Sequence, residues 1–471
     1  SESAAMPTLG ATSIFLLLAV IHASGSRDAD ERPNILFLMS DQHRFDAFST
    51  AGNKAAKTPN LDSIAKEGVL FQKTYSTTPT CTPARAAILT GQKPWKHGML
   101  GYGVIAERYP FEMPRALNDA GYRTATVGKD HFGWNATTNE GIPHGYESLQ
   151  LYDGLGTGLP KTNDTNSFDD YDRWFQTQKP GDDPMATGLG WNEWHAAPYK
   201  YAEYLHPTAW VGRTATEMIH KLSKDQSTGK DPRPFLLKVS FHRPHSPYDP
   251  PQRVLDDVKA EDLPSYPAGG SCNWDSRFRG DAGDQGGCGP QDSSAWCGDM
   301  GEEATLSRRG YIASVNFVDE AVGAVLAALK DTGLKEKTLV LFVSDHGDGQ
   351  GEHYHWRKGF PYELSAHVPM MLRWPDSMVG THNISSPRGS VIDDKVTELR
   401  DIFPTFLEAA QQLPHKEIDG QTLFDLLGRG GSWREWLDLE HNVVYNATVH
   451  WNALTDGNMK YIFHAFDGSE S

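Results

Sequence analysis

The sequence predicts an α/β fold: a large, mostly parallel mixed sheet flanked by helices, followed by a small antiparallel subdomain at the C-terminus. Short apolar runs rich in β-branched residues alternate with segments of helical periodicity, which is typical of parallel strands connected by helices. The chain has 471 residues, enough for one large core and a smaller subdomain. Near the end of the chain, two further short runs indicate strands of a small sheet.

Five apolar runs of strand length are predicted to form the large sheet: 34–39 (NILFLM), 124–127 (TATV), 235–241 (FLLKVSF), 338–344 (TLVLFVS) and 368–374 (VPMMLRW). Helical patterns lie between them at 60–67, 84–89, 112–120, 208–222 and 307–332. A further helix is predicted at 397–410, and the late runs 443–449 and 460–466 are predicted strands of the small sheet.

The chain divides into a predicted leader at 1–30, a main domain at 31–425 and a partial C-terminal subdomain at 426–471. The leader contains an apolar run at 13–21 (SIFLLLAVI) followed by small residues, which is typical of a secretory signal and short for a bilayer span. We therefore expect a secreted or periplasmic protein, with a membrane-tethered start as the alternative.

Two long segments without periodicity, at about 151–198 and 264–303, are predicted to be loop insertions over the main domain. Tryptophans in and near the first insertion are either platforms for sugar rings or core residues: Trp174, Trp191, Trp194 and Trp210. Three cysteines lie in the second: Cys272, Cys288 and Cys297. They allow at most one local disulfide, and the lack of a Cys-x-x-Cys element argues against a zinc site.

The net charge of −17 excludes one class of partner. A protein that binds a nucleic-acid backbone needs a basic face, so no nucleic-acid partner is expected. An anionic substrate would be repelled by the overall field and would need a local basic pocket.

Polar residues follow four of the predicted strands at the point where each strand ends. They read Asp41-Gln42, Lys129-Asp130-His131, His242-Arg243-Pro244-His245 and Asp345-His346. Because ligands of open α/β sheets bind outside the carboxyl ends of the strands, these four groups predict one shared pocket.

Two of these strand ends carry groups that bind metals. Asp41, Gln42 and Asp345 offer oxygens that suit a hard cation such as Ca²⁺ or Mg²⁺. His346 adds a nitrogen that such a cation does not require. The alternative is a helix-capping aspartate at 41 and an ordinary turn after 344. Two acidic strand ends together favour the metal site.

Cys81 lies in a loop formed by Thr80, Thr82 and Pro83, directly before a predicted helix. A lone cysteine is most often a small buried apolar residue. Here it would lie where backbone N–H groups collect, which is a natural anion site. Arg85, one turn into the helix, can bind an oxyanion through its guanidinium.

Four cations at loops and strand ends complete the predicted pocket: Lys129, His131, His242 and Lys358. Each one alone is more often a surface lysine or a structural histidine. Around a metal and an anion site they together predict a pocket for sulfate or phosphate. Further candidates for substrate contacts have weaker support: Arg243, His245, His353 and His355.

The segment from Cys81 to Gly91 (CTPARAAILTG) resembles the signature of the type I sulfatases of the alkaline-phosphatase-like superfamily. Several other stretches, found in the same order along 32–466, are also similar to this family: 58–62, 128–133, 242–247, 344–362 and 419–421. The resemblance implies that Cys81 is oxidised to formylglycine by a formylglycine-generating enzyme. It also implies that the chain ends where relatives continue with a further turn and strand.

The resemblance also implies the roles of the site residues. Asp41, Gln42, Asp345 and His346 match the metal ligands, with formylglycine at position 81 as a further ligand and Ca²⁺ as the preferred ion over Mg²⁺ or Mn²⁺. The sulfate-binding and proton-transfer positions are matched by Arg85, Lys129, His131, His242 and Lys358. Gln42 and His346 replace the Asp and Asn of many arylsulfatases and are more like the choline-sulfatase and phosphonate-monoester-hydrolase branch.

The implied reaction is hydrolysis of a sulfate ester, expected on a sulfated carbohydrate. One hydroxyl of the hydrated aldehyde attacks sulfur, and the second then expels sulfate and restores the aldehyde. Two alternatives remain: a phosphonate or phosphate diester hydrolase using the same groups, and a non-catalytic protein that binds sulfated glycans.

Overall fold

The computed structural model describes residues 32–135, 140–153, 169–190, 193–265, 301–352, 355–442, 450–465 and 467–471. Its helices are α1 (Pro59–Lys66), α2 (Cys81–Thr90), α3 (Pro94–His97), α4 (Met113–Asp119), α5 (Asp170–Gln178), α6 (Pro207–Ser227), α7 (Gln252–Asp257), α8 (Glu302–Asp331), α9 (Glu363–Ala366), α10 (Ser377–Thr381) and α11 (Ile402–Ala409).

The strands follow the same chain order. They are β1 (Asn34–Asp41), β2 (Val69–Tyr75), β3 (Arg123–Gly128), β4 (Trp134–Asn135), β5 (Glu140–Gly141), β6 (Ser148–Leu151), β7 (Phe235–Pro244), β8 (Thr338–Ser344), β9 (Gly349–Gln350), β10 (Trp356–Arg357), β11 (His367–Arg373), β12 (Ser390–Glu398), β13 (Leu437–His441), β14 (Trp451–Thr455), β15 (Lys460–His464) and β16 (Ser469–Glu470).

Eight strands form the main sheet in the order β12-β2-β11-β8-β1-β7-β3-β6. Within it, β11 runs antiparallel to both of its neighbours, and the other recorded pairs are parallel. Every residue of β1, β7 and β8 is buried, as expected for central strands covered on both faces. The predicted mixed, mostly parallel sheet is confirmed.

Helices cover both faces of this sheet. On one face, Ile35, Phe37 and Met39 of β1 belong to a core shared with α2, α4 and α11. On the other, Leu36 and Leu38 belong to a core shared with α1, α6 and α8. This alternation follows from the strand repeat of two residues. Helix α8 is long and apolar enough to cross a membrane, but two-thirds of its most apolar window is buried inside this fold.

The small C-terminal sheet is antiparallel, with strand order β13-β14-β15-β16. Trp451, Leu439 and Ile462 point from this sheet into a core that also contains Tyr75 of β2 and Phe360. The sheet therefore packs on the main domain beside the carboxyl end of β2. The strand predicted at 460–466 is β15, whereas the strand predicted at 443–449 lies outside the described residues.

Several elements differ from the sequence prediction. The strands β2, β6 and β12 were not predicted; β12 is an edge strand whose first half is mostly exposed and polar, so it lacks an apolar run. The helix predicted at 397–410 begins only at Ile402, because residues up to Glu398 complete β12 and 399–401 form a 3-10 turn.

Other differences concern the helices and the insertions. Helix α2 starts at Cys81 rather than at Ala84, and α8 starts at Glu302 rather than at Ser307. The insertion predicted at 151–198 contains α5, whose first turn is capped by the Asp169 side chain. The leader at 1–30 and most of the insertion at 264–303, with its three cysteines, lie outside the described residues.

Candidate active site

The four strand ends predicted to share a pocket belong to adjacent strands. In the order β8-β1-β7-β3, their carboxyl ends bring Asp345, Asp41, His245 and Lys129 to the same edge of the sheet. Strand β2 ends at this edge as well, and the loop after it leads to α2. The first residue of α2 is Cys81, and every residue of this helix is buried. The topology thus brings Cys81 to the four strand ends.

Four side chains form a compact group that could hold a metal ion: Asp41, Cys81, Asp345 and His346. Their ligand atoms all lie within 4.8 Å of one another, and all four residues are buried. His346 Nε2 lies 3.3 Å from Cys81 Sγ and 3.6 Å from Asp41 Oδ1. The other ring nitrogen of His346 lies 2.9 Å from the Gly347 carbonyl, which fixes the orientation of the ring.

Gln42, the fifth predicted ligand, lies beside this group. Its backbone N–H donates to Asp345 Oδ1 at 3.1 Å, and its carbonyl accepts the Tyr311 hydroxyl at 2.8 Å. Its φ of 67° is unusual for a residue other than glycine. Both polar atoms of its carboxamide are buried without a hydrogen bond of normal geometry. A buried amide oxygen in this state, among two carboxylates and an imidazole, fits a divalent cation.

Cations surround the metal-ligand group. Lys129 Nζ lies 2.6 Å from Asp41 Oδ2, and Lys358 Nζ donates to Cys81 Sγ at 3.1 Å. Arg85 bridges the two carboxylates, donating to Asp41 Oδ2 and to Asp345 Oδ2 at 3.0 Å each. Arg85 also donates to the Lys129 carbonyl at 2.6 Å. One buried guanidinium thus ties together α2, β1, β3 and β8.

These charges change the acidity of the buried groups. Burial alone would raise the pKa of the Asp41 carboxyl, but the surrounding cations, Lys129 first among them, hold it well below its usual value. Burial and Asp41 oppose ionisation of the Cys81 thiol, yet the cations led by Lys358 hold its pKa well below the usual value. For Asp345, burial and the Asp41 charge raise the pKa. The pocket therefore favours a negative group at position 81.

Two histidines lie at the carboxyl end of β7: His242 is within the strand, and His245 directly follows it. His245 lies close enough to Cys81 for that residue to act on its pKa, and its backbone N–H donates to the Asp41 carbonyl at 3.1 Å. The ring of His242 lies 4.7 Å from that of His245, and its Nδ1 lies 2.5 Å from the Arg243 guanidinium. Burial, with Lys358, lowers the pKa of His245 to about 3. Burial, with Lys129, holds the pKa of His242 well below its usual value.

His245 is a candidate site residue that the sequence supports only weakly. The β1–β7 register shifts between Ser40 and Asp41, so that Asp41 pairs with Pro244. This irregularity places the residue after Pro244 beside the metal ligands. The sequence does not reveal the register shift itself. The position of His245, directly after a strand that ends in proline, was the one available signal.

His131 lies at the edge of the pocket and is partly exposed. Its φ is 58°, and its backbone N–H and that of Asp130 donate to Asp153 Oδ1 at 2.9 Å and 2.7 Å. Asp153 thereby fixes the turn that carries both Lys129 and His131. The His131 ring makes an edge contact with the Tyr102 ring, with the two ring centroids 6.0 Å apart.

The structure describes most of the weaker candidates for substrate contacts and most of the tryptophans near the first insertion. Arg243 is bound by both oxygens of Asp249, and His355 stacks on Phe360 at 4.3 Å. Trp194 and Trp210 are buried in the core and are not sugar platforms. Trp174 is partly buried, with the Arg213 guanidinium over its ring. His353 and Trp191 lie outside the described residues.

Comparison with known proteins identifies the family to which the chain belongs. The family model for sulfatases matches residues 33–412. An arylsulfatase of Clostridium perfringens is 35% identical over 423 residues, which cover 87% of this chain and 82% of that protein. An N-acetylglucosamine-6-O-sulfatase of Bacteroides thetaiotaomicron is 25% identical over 450 residues, covering 88% of this chain and 75% of that protein.

The fold is shared with solved structures. The phosphonate monoester hydrolase of Agrobacterium radiobacter aligns with a TM-score of 0.72 at 24% identity, covering 92% of this chain and 88% of that one. The chain therefore belongs to the sulfatase family of sulfuric ester hydrolases, with the alkaline-phosphatase-like fold.

Proposed function

We propose that this sulfatase hydrolyses a sulfate ester of a carbohydrate, using formylglycine made from Cys81 and a divalent cation. The observation that carries the proposal is the position of Cys81, whose buried sulfur lies within 4.8 Å of three metal-ligand atoms and 3.1 Å from Lys358 Nζ. The carbohydrate is supported by the similarity to the N-acetylglucosamine-6-O-sulfatase. The predicted leader supports a secreted or periplasmic location.

Asp41, Gln42, Asp345 and His346 would hold the cation. Three oxygen ligands favour Ca²⁺, and the His346 nitrogen keeps Mg²⁺ and Mn²⁺ as alternatives. The nucleophile would be a hydroxyl group of the hydrated formylglycine aldehyde. The cation would lower the pKa of this hydroxyl. The formation of formylglycine requires a formylglycine-generating enzyme as a maturation partner.

The protein's own residues would bind the sulfate and move protons. Arg85, Lys129 and Lys358 offer positive charge to the sulfuryl oxygens, where negative charge increases as the S–O bond to the alcohol breaks. The leaving oxygen needs a proton, and we assign His245 as its donor because Cys81 acts directly on the pKa of His245, while the His242 ring lies 4.7 Å from the His245 ring. A bound sulfate ester adds negative charge beside both rings, which favours their protonated forms. His131 would act as the base of the second step.

Mass spectrometry of the peptide containing residue 81 tests the modification. Protein co-produced with a formylglycine-generating enzyme is expected to carry an aldehyde at position 81 and to hydrolyse 4-nitrophenyl sulfate, and Cys81→Ala is expected to abolish turnover. An unconverted thiol in fully active protein would overturn the formylglycine assignment. Higher kcat/KM on an aryl phosphonate monoester than on the aryl sulfate would favour the phosphonate hydrolase instead.

A further inference from the structure

An exposed aromatic side chain, Tyr102, lies near the site residues in the segment between α3 and α4. Tyr102 is 52% exposed, and the next apolar residue, Val104, is 85% exposed. The segment is fixed to the site by the Gly103 N–H, which donates to the hydroxyl of Thr82 at 3.2 Å. Because Thr82 directly follows Cys81, the position of Tyr102 is tied to that of the nucleophile.

The Tyr102 ring also borders the pocket on the side of His131. The two rings meet edge to face, with centroids 6.0 Å apart and planes at 64°. The pKa of the phenol is raised by partial burial and by the charge at Cys81, while Lys358 acts in the opposite direction. The phenol is thus close enough to respond to the charges of the cluster while the ring remains open to solvent.

The depth of the site determines where the alcohol part of a substrate must lie. Cys81 is only 2% exposed, and Lys129 and Lys358 are buried as well, so the sulfate group enters completely. The alcohol that carries it must then extend outward, towards exposed residues such as Tyr102. The exposed Tyr102 ring, beside the partly exposed His131, offers an apolar face for a ring and a hydroxyl for its substituents.

We propose that Tyr102 is the specificity-determining wall for the alcohol part of the substrate, selecting sulfate esters of ring-bearing alcohols, either aryl or pyranosyl, over acyclic ones. The inference rests on the proposed function for the reaction itself. It adds the preference for a ring over an acyclic alcohol and the residue that recognises the ring.

The test is the ratio of kcat/KM on ring-bearing to acyclic sulfate esters. Substrates are 4-nitrophenyl sulfate, N-acetylglucosamine 6-sulfate and ethyl sulfate, and the variants are Tyr102→Ala and Tyr102→Phe. Tyr102→Ala is expected to lower kcat/KM on the two ring-bearing esters about 10- to 100-fold, mainly through KM, with little change on ethyl sulfate. Tyr102→Phe, which keeps the ring, is expected to retain most of the preference.

Two controls separate this inference from a general loss of structure. Tyr204 is also 52% exposed, and Tyr204→Ala is expected to leave the ratio unchanged. Inhibition by inorganic sulfate is expected to be equal in Tyr102→Ala and the parent protein, because the anion pocket is intact. An unchanged ratio in Tyr102→Ala would overturn the inference.

The proposed function fails in a different way. If no sulfate ester is hydrolysed, the same ratio is measured on aryl and alkyl phosphonate monoesters with the same variants. Loss of sulfate-ester turnover contradicts the proposed reaction alone, whereas an equal loss on ring-bearing and acyclic esters contradicts the role of Tyr102 in either reaction.

Discussion

Position 42 carries a carboxamide in a group of proposed metal ligands that otherwise consists of carboxylates, a thiol and an imidazole. The side chain of Gln42 faces the buried carboxylate of Asp348. Asp348 Oδ2 accepts from Tyr248 at 2.5 Å and from Gln350 at 2.8 Å, while Oδ1 has no partner of normal hydrogen-bond geometry among the described residues. An amide can turn its NH₂ towards Asp348 and its oxygen towards the cation. A carboxylate at 42 would be repelled by Asp348.

This arrangement predicts that Asp348 supports metal binding without being a ligand. In Asp348→Asn, the new side chain can donate as well as accept, so the orientation of the Gln42 amide is no longer fixed. Metal affinity is expected to fall about 10- to 100-fold, as is typical when a partner of a metal ligand is removed. Titration calorimetry with Ca²⁺ and Mn²⁺ measures it.

Tyr248→Phe is the matched control for Asp348. It removes a hydrogen bond to the other carboxylate oxygen, Oδ2, and leaves the oxygen beside Gln42 unchanged. We expect a smaller loss of metal affinity than in Asp348→Asn. Equal affinity in the parent protein and Asp348→Asn would show that Gln42 does not depend on Asp348.

His242 and His245, at the carboxyl end of β7, give a second prediction at the scale of single residues. His245→Ala is expected to lower kcat by about 10²–10⁴-fold on a sulfate ester of an alkyl alcohol, whose leaving oxygen needs a proton. The loss should be smaller for 4-nitrophenyl sulfate, because nitrophenolate leaves without protonation. His242→Ala is expected to show a weaker dependence on the leaving group. A reversed order would assign the proton donor to His242, one of the proton-transfer positions that the family resemblance implies.

The sequence predicts which kinds of residue form the site better than it predicts which individual residues do so. Asp41, Lys129 and Asp345 follow apolar runs that any central strand would show, so their convergence is predictable from strand ends alone. The choice between His242 and His245 is not predictable, because it depends on the local shift in the β1–β7 register. The contribution of Asp348 depends on a contact with Gln42 between residues far apart in the sequence.

At the scale of elements, Gly128 shows how closely β3 and β7 approach below the pocket. Its φ is 98°, and a Cβ built there would lie 2.1 Å from the Ser240 carbonyl oxygen. This carbonyl also accepts the Lys129 N–H at 2.8 Å. A side chain at position 128 would therefore push β3 and β7 apart directly before the site residue Lys129.

Gly128→Ala is accordingly expected to destabilise the fold and weaken the site. Gly52→Ala is the control, since Gly52 has a φ of 88° and open space around its Cβ position. The control isolates the conformational cost of alanine at positive φ, about 1–2 kcal/mol. The clash should add about 1–3 kcal/mol or more to the loss for Gly128→Ala. Urea denaturation measures both, and equal losses would contradict a close β3–β7 contact.

Helix α8 stabilises the start of α1 through Asp319, which predicts a pH dependence. Asp319 accepts the backbone N–H of Leu61 at 2.8 Å and of Asn60 at 3.2 Å, and burial raises its pKa from 3.8 to about 6. Between these values the folded state holds a proton that the unfolded state has lost. The contribution of Asp319 to stability is therefore present at low pH and is lost as the pH rises through about 6.

Asp319→Asn removes this titration. The difference in free energy of unfolding between the parent protein and the variant is expected to fall as the pH rises through this window, by about 1.4 kcal/mol per unit of pKa shift. Urea denaturation at several pH values within it gives the slope. A difference independent of pH would show that Asp319 is ionised in the folded state throughout.

Which elements the sequence reveals depends on burial. Central strands such as β8 are buried throughout and mostly apolar, and β8 was predicted with its observed bounds. The edge strand β12 reads SVIDDKVTE and is a strand only because it pairs with β2. Similarly, Asp and Gln residues hide α5, whose buried face consists of Tyr171 and Phe175.

At the scale of the whole molecule, the C-terminal sheet is joined to both loops that form the Cys81 side of the pocket. His441 of β13 lies 3.1 Å from the hydroxyl of Thr80, the residue before Cys81. The indole N–H of Trp451 in β14 donates to the Gly359 carbonyl at 2.9 Å, next to Lys358. The Gly359 N–H in turn donates to the Pro79 carbonyl at 3.1 Å. The small sheet therefore maintains the distance between Lys358 and position 81.

Trp451→Phe tests this connection by removing one hydrogen bond while keeping an aromatic ring in the core. The Gly359 carbonyl loses its partner, so the loop carrying Lys358 can move away from position 81, and a displacement of about 1 Å can reduce the rate about 100-fold. We expect a lower kcat with unchanged metal affinity, because the metal ligands lie on other elements. Trp433→Phe is the control, since Trp433 makes the same kind of bond, to the Val396 carbonyl at 2.8 Å, away from this loop. If both variants lose stability equally and neither loses kcat, the C-terminal sheet contributes to folding alone and does not position Lys358.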